Sequence, residues 1–171
     1  MRIRGIHGPA DLSDRRQRMY NFMHNHPVAV VSTTDPDGNP HGAVIYYAVE
    51  KSLTVRFLTK QQTRKYDNLK HNSHMMLTVF DPRTQTTLQY EGVAVERGGQ
   101  NATNEVATEL FETPLKTSDS GLPPLAKLQA GPFTTFRVEP VQIRMAIYGR
   151  PDTGDYNELF ESIESFELED A

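Results

Sequence analysis

Thr59, Thr63, Arg64 and Lys65 lie close together in the stretch Phe57 to Asn72, FLTKQQTRKYDNLKHN. The stretch reads as the end of a strand, a short polar loop from Lys60 to Thr63, and a helix carrying Arg64 and Lys65 in its first turn. Two cations at a helix start stand against the macrodipole, which favours anions there. Either they are solvated on a surface helix, or something negative sits among them and the free backbone N–H groups. A phosphate suits that place, because two threonine hydroxyls, an arginine fork and a lysine point charge can all reach it.

The elements that position these residues follow from periodicity. Met1 to Ala10 reads as an extended arm. Ser13 suits the N-cap of a helix from Asp14 to Asn25, with Met19, Phe22 and Met23 on one face. Val28 to Thr34, His41 to Val49 and Leu53 to Thr59 read as three strands. The turns Asp35-Pro-Asp-Gly38 and Glu50-Lys-Ser52 make them an antiparallel meander. Beyond the basic helix come strands His74 to Phe80 and Thr86 to Glu96, the second with Gly92 as a bulge or close-approach point. A helix over Glu105 to Phe111, a long loop from Glu112 to Gly131 and a sixth strand, Phe133 to Ile147, follow; Pro140 should bend that strand or place it at an edge. Asp155 starts a last helix with Leu159, Phe160, Ile163 and Phe166 inward. The sum is a mainly β protein with flanking helices, a six-stranded antiparallel barrel over 1–151, with an acidic C-terminal helix, 152–171, packed on the same domain.

Composition narrows the function. The 171 residues are 37% hydrophobic, a thin share for a globular core, which favours burial borrowed from a second copy. There is no cysteine, hence no disulfide framework and no thiolate chemistry. The net charge of −4 is uneven: residues 152–171 hold 8 acidic and no basic residues, leaving 1–151 at +4. That balance argues against nucleic-acid binding, which wants a basic excess. No apolar run is long enough for a membrane span and no signal-peptide core opens the chain, so a soluble cytoplasmic protein is expected. His71 and His74 are three apart but straddle the expected helix end, with no carboxylate to complete a metal set. Asp152-Thr-Gly154 stands alone, whereas the protease chemistry it evokes needs two facing carboxylates. No dinucleotide loop, phosphate loop or nucleophile elbow is present.

Read in order, these motifs resemble the FMN-binding split-barrel family typified by pyridoxamine 5'-phosphate oxidase. The resemblance rests on Asp37-Gly-Asn-Pro40, Leu58-Thr59, Thr63-Arg64-Lys65, Asn68-Leu69, Asn72 and the stretch Tyr90 to Ala94. It implies an obligate homodimer with FMN in the groove between subunits and a small-molecule redox substrate. Leu58 and Thr59 would contact the flavin or its ribityl chain, and Thr63, Arg64 and Lys65 would hold its phosphate. The strand Ala43 to Ala48, including Val44, Ile45 and Tyr46, would run under the isoalloxazine, and Thr87 would face the ring from the side. Of Tyr46 and Tyr47 only one can line the substrate side, because alternation sends them to opposite faces. Ala43 and Ala48 stand where the oxidase has basic residues, Thr87 where it has glutamine, and the acidic C-terminus lacks its arginine and histidine. Those departures point away from pyridoxamine phosphate as substrate. Relatives of this fold that bind F420 or haem make a non-catalytic cofactor-binding module the alternative.

Overall fold

β-Branched and aromatic residues at every second position build most of the chain into strands. The computed structural model describes residues 5–7, 12–98, 108, 110, 132–149 and 162–169. In chain order the elements are β1 (Gly5–His7), α1 (Leu12–Asn25), β2 (Val28–Thr34), β3 (Pro40–Val49), β4 (Val55–Lys60), α2 (Arg64–His71), β5 (His74–Asp81), β6 (Thr86–Arg97), β7 (Phe133–Gly149) and β8 (Ser162–Glu169). Strands β4, β3, β2, β5 and β6 are successive antiparallel neighbours, and β7 pairs with both β4 and β6. The result is a closed six-stranded barrel. β8 adds to β7 antiparallel, and β1 adds to β8 in parallel.

The barrel interior takes one residue of every two. Val31, Phe57, Leu77, Leu88, Tyr90 and Phe136 are fully enclosed, with Phe57 and Phe136 stacked at 5.6 Å between ring centroids. α1 adds Met19, Phe22 and Met23 to the same core. The Tyr47 hydroxyl ties α1 to β3, lying 3.0 Å from the Met23 carbonyl and 2.9 Å from that of His26. α2 is held to the far end of β2: the Asn68 amide donates to the Thr33 hydroxyl at 3.0 Å, and Asn72 to Thr34 at 3.3 Å.

Two sequence expectations change. Residues 162–169 form a strand where a helix was expected. The spacing of Leu159, Phe160, Ile163 and Phe166 fits a helix, but Phe166 and Leu168 also fit the strand period. The second half of β7 has an open edge once β4 ends at its partner Val138, and β8 fills it, with Phe166 opposite Met145 and Leu168 opposite Ile143. The sheet therefore has eight strands, six of them in the barrel. Pro140 stands where the sequence expects an irregularity or an edge, opposite Gly92 at the register shift in the β6–β7 pairing. It lies between the last β4 partner, Val138, and the first β8 partner, Gln142, so its missing N–H interrupts neither ladder. α1 starts at Leu12, which places Ser13 inside the first turn rather than at the N-cap. Of the helix expected over Glu105 to Phe111, Thr108 and Leu110 are described and helical. The loop from Glu112 to Gly131 and the start of the acidic segment, 152–161, lie outside the described residues.

Gly92 is the close-approach point of the barrel. It faces Pro140 across a register shift between Glu91 and Gly92. A Cβ there would meet Val138 Cγ1 at 2.6 Å, Tyr90 Cε1 at 2.7 Å and the Glu139 carbonyl at 2.8 Å. All three atoms belong to the packed core or backbone and cannot swing away. Gly92→Ala is therefore expected to lower stability by about 1–3 kcal/mol, read as an earlier midpoint in urea unfolding.

Candidate functional site

The head of α2 is shaped by its own threonines. Thr63 is the N-cap, accepting from the Tyr66 amide at 3.4 Å and donating to the Lys60 carbonyl at 2.8 Å. Thr59 is fully buried, with its hydroxyl 3.2 Å from that of Thr63 and 3.3 Å from the Lys60 carbonyl. Both hydroxyls thus hold the turn together, a role in the backbone before any in a ligand. Gln62 takes a φ of +67°, which turns the chain sharply into the helix. The amides of Arg64 and Lys65 open the helix and have no partner within it.

Three cations surround this turn in different states. Arg64 is exposed. It faces the β2–β3 turn, where the Asp35 carboxyl is held below its usual range, first by the Asn39 side chain and amide and to a lesser degree by Arg64. Lys65 is 7% exposed, and no carboxylate among the described residues pairs with it. Burial alone lowers its pKa. Lys60 is likewise 7% exposed, and its ammonium lies 5.0 Å from the centroid of the Phe133 ring. Lys60 escaped the sequence reading; the signal was there, since it stands two residues from Leu58 and so shares its face of β4.

Alternation sorts the remaining candidates. Ile45 and Thr59 point inward, so their contribution to a ligand on the outer face is limited to backbone atoms. Tyr47 is also inward and structural, which leaves Tyr46 as the outward tyrosine. Tyr46 packs against Ala48, Leu58 and Leu110, a small apolar cluster on the outer side of β3 and β4. Val44 is 61% exposed and lies opposite Val30, which is itself exposed. Val28 and Phe80 extend this apolar surface across β2 and β5. The fold therefore brings Thr63, Arg64 and Lys65 together at one end, and Tyr46 and Leu58 together on the neighbouring outer face.

Thr87 is not brought to them. It lies opposite Phe80, on β6, three strands from β3 and therefore roughly 14 Å away along a curved sheet. The route through β7 is longer still, because the neighbour of Leu58 there, Thr135, pairs with Arg97 at the far end of β6. Two of the histidines serve the fold: His24 stacks on Tyr20, and His26 bonds the Phe22 carbonyl and approaches Asp81 at 3.5 Å. No group of three metal-ligating side chains occurs among the described residues. Nor is any helix among them long and apolar enough to cross a membrane.

Residues 16–146 match the family model described as pyridoxamine 5'-phosphate oxidase. No curated protein matches the sequence. Among solved structures, a pyridoxamine 5'-phosphate oxidase-related FMN-binding protein from Nostoc punctiforme superposes with a TM-score of 0.56 at 14% identity, covering 92% of this chain and 98% of its own. An F420 reductase gives 0.56 at 20% identity, over 72% of this chain and 94% of its own. A haem storage protein from Vibrio cholerae gives 0.52 at 16% identity, over 72% and 88%. At these identities the structures speak for the fold, and the family model, matching most of the chain, speaks for kinship: this protein belongs to the pyridoxamine 5'-phosphate oxidase family.

Proposed function

We propose that this protein is an FMN-dependent oxidoreductase acting as a homodimer on a small molecule other than pyridoxamine phosphate. The observation that carries the reading is Lys65, a buried ammonium without a carboxylate at the head of α2, next to exposed Arg64 and two open amides. An unneutralised buried charge is costly, and a phosphate at that place would offset the cost. The apolar outer face of Val44, Tyr46 and Leu58 supports a ring system lying beside it. A flavin supplies two-electron redox chemistry when bound; the chain's part is to hold, orient and desolvate it. Pyridoxamine phosphate is disfavoured because the acidic segment Asp152 to Ala171 lacks the arginine and histidine that would clamp its phosphate.

The dimer follows from the same face. Val28, Val30, Val44 and Phe80 leave an apolar surface spread over three neighbouring strands, of the kind that marks an interaction site. Thr87 lies three strands from β3 across the sheet, and a second copy is the proposed route by which it meets a flavin. The F420 reductase among the similar structures keeps F420 as the second cofactor reading. Haem is less suited, because the outward positions of β3 and β4 carry no histidine.

Three outcomes test this reading. Arg64→Ala should weaken FMN binding about 10- to 150-fold, the loss of one charge-assisted hydrogen bond, in a flavin-fluorescence titration. Unchanged affinity would remove the phosphate from α2. Lys65→Met should weaken FMN binding while raising the melting temperature of the unloaded protein. Burial gives Lys65 a folded pKa below its ordinary 10.5, so the unfolded chain binds more protons between the two values. Wild-type stability should therefore rise with pH across that window, and the variant should lack this rise. Finally, Val30→Asp or Val44→Asp should sediment as a monomer and lose FMN during gel filtration; a flavin-loaded dimer would place the interface elsewhere. Reduction of the bound flavin by NADH or NADPH separates an enzyme from a carrier.

A further inference from the structure

On the outer side of β4 and β7 stand two largely buried polar side chains. Lys60 is 7% exposed, and its ammonium lies over the Phe133 ring. Thr135 is 2% exposed, and its hydroxyl has no hydrogen-bond partner at all. The register sets Lys60 opposite Phe133 and Leu58 opposite Thr135, so Lys60 and Thr135 are diagonal neighbours on one face. Such neighbours are about 7–8 Å apart at the backbone, within reach of a lysine side chain. Leu58, between them in this arrangement, is sealed by Ala48 and Leu110. The unsatisfied Thr135 hydroxyl costs stability in the unliganded chain, and one bound oxyanion would engage both groups: the ammonium supplies charge and the hydroxyl a directed donor.

We propose that Lys60 and Thr135 form an oxyanion sub-site that takes the carboxylate or phosphate of a small substrate, separate from the cations at the head of α2. This rests on the reading above only in placing the sub-site beside a flavin on Leu58 and Tyr46. Lys65 and Arg64 lie beyond the turn and hold their own anion. The substrate class is then a small acid or phosphate ester with its reactive carbon over the ring.

The test titrates inorganic phosphate and benzoate into FMN-loaded protein by calorimetry, with flavin difference spectra alongside. Saturable binding of either anion is expected, the preferred one giving the group recognised. Lys60→Met should weaken it by about ten-fold or more and Thr135→Val by about three-fold, while FMN affinity stays within about two-fold of wild type. Both variants should melt no lower than wild type: Thr135→Val removes an unsatisfied buried hydroxyl and Lys60→Met a largely buried charge. Absence of anion binding, or variants that bind as wild type does, overturns the proposal. So does joint loss of FMN in Lys60→Met, which would assign Lys60 to the cofactor phosphate, or a lowered melting temperature, which would make these groups structural. If wild type takes up no FMN, the cofactor reading fails by itself. The same titration in unloaded Arg64→Ala protein, with and without Lys60→Met, then decides the sub-site.

Discussion

The structure depends on β7 serving two neighbours on one edge. Its first half pairs with β4, its second half with β8, and its other edge runs along β6 for nearly its whole length. The first of these pairings closes the barrel and removes the edges that an open six-stranded sheet would expose. It also brings Phe136 against Phe57 and Tyr66, so the strand that closes the sheet also fills the core beneath α2. The switch of partners occurs at Pro140, where a residue without an N–H costs nothing, and opposite Gly92, where a residue without a Cβ is required.

From that closed frame the head of α2 gains its position. Asn68 and Asn72 anchor the helix to the last two residues of β2, and Thr59 and Thr63 lock the turn that enters it. A helix of eight residues would be marginal in isolation. Here its polar bonds are to the barrel wall, and its start is held rigidly enough to aim two amides and a lysine. The cations around it are not equivalent. Arg64 is exposed and near Asp35, whereas Lys65 and Lys60 are largely buried and pair with no carboxylate among the described residues. Buried charges left unpaired are rare because desolvation is expensive, and where they persist beside a surface open to ligands they are best understood as half of an interaction.

The sequence by itself determined the barrel strands, the placement of α2 and the grouping of Thr63, Arg64 and Lys65, because these depend on local period and on neighbours in the chain. Turn chemistry at Asp35 to Gly38 and alternation along β2 to β6 left little freedom of register. It could separate Tyr46 from Tyr47 but not choose between them, since the choice depends on which face receives α1. Only the tertiary structure decided that Tyr47 turns inward to the end of that helix, that residues 162–169 become a strand on the free half of β7, and that Thr87 lies three strands from β3. It alone also showed that Lys60 and Thr135 are neighbours and that the Thr135 hydroxyl is left unsatisfied. Each of these depends on pairing between segments far apart in sequence, and burial, which decides whether a lysine is a solvated surface charge or a waiting ligand, exists only once those segments have met.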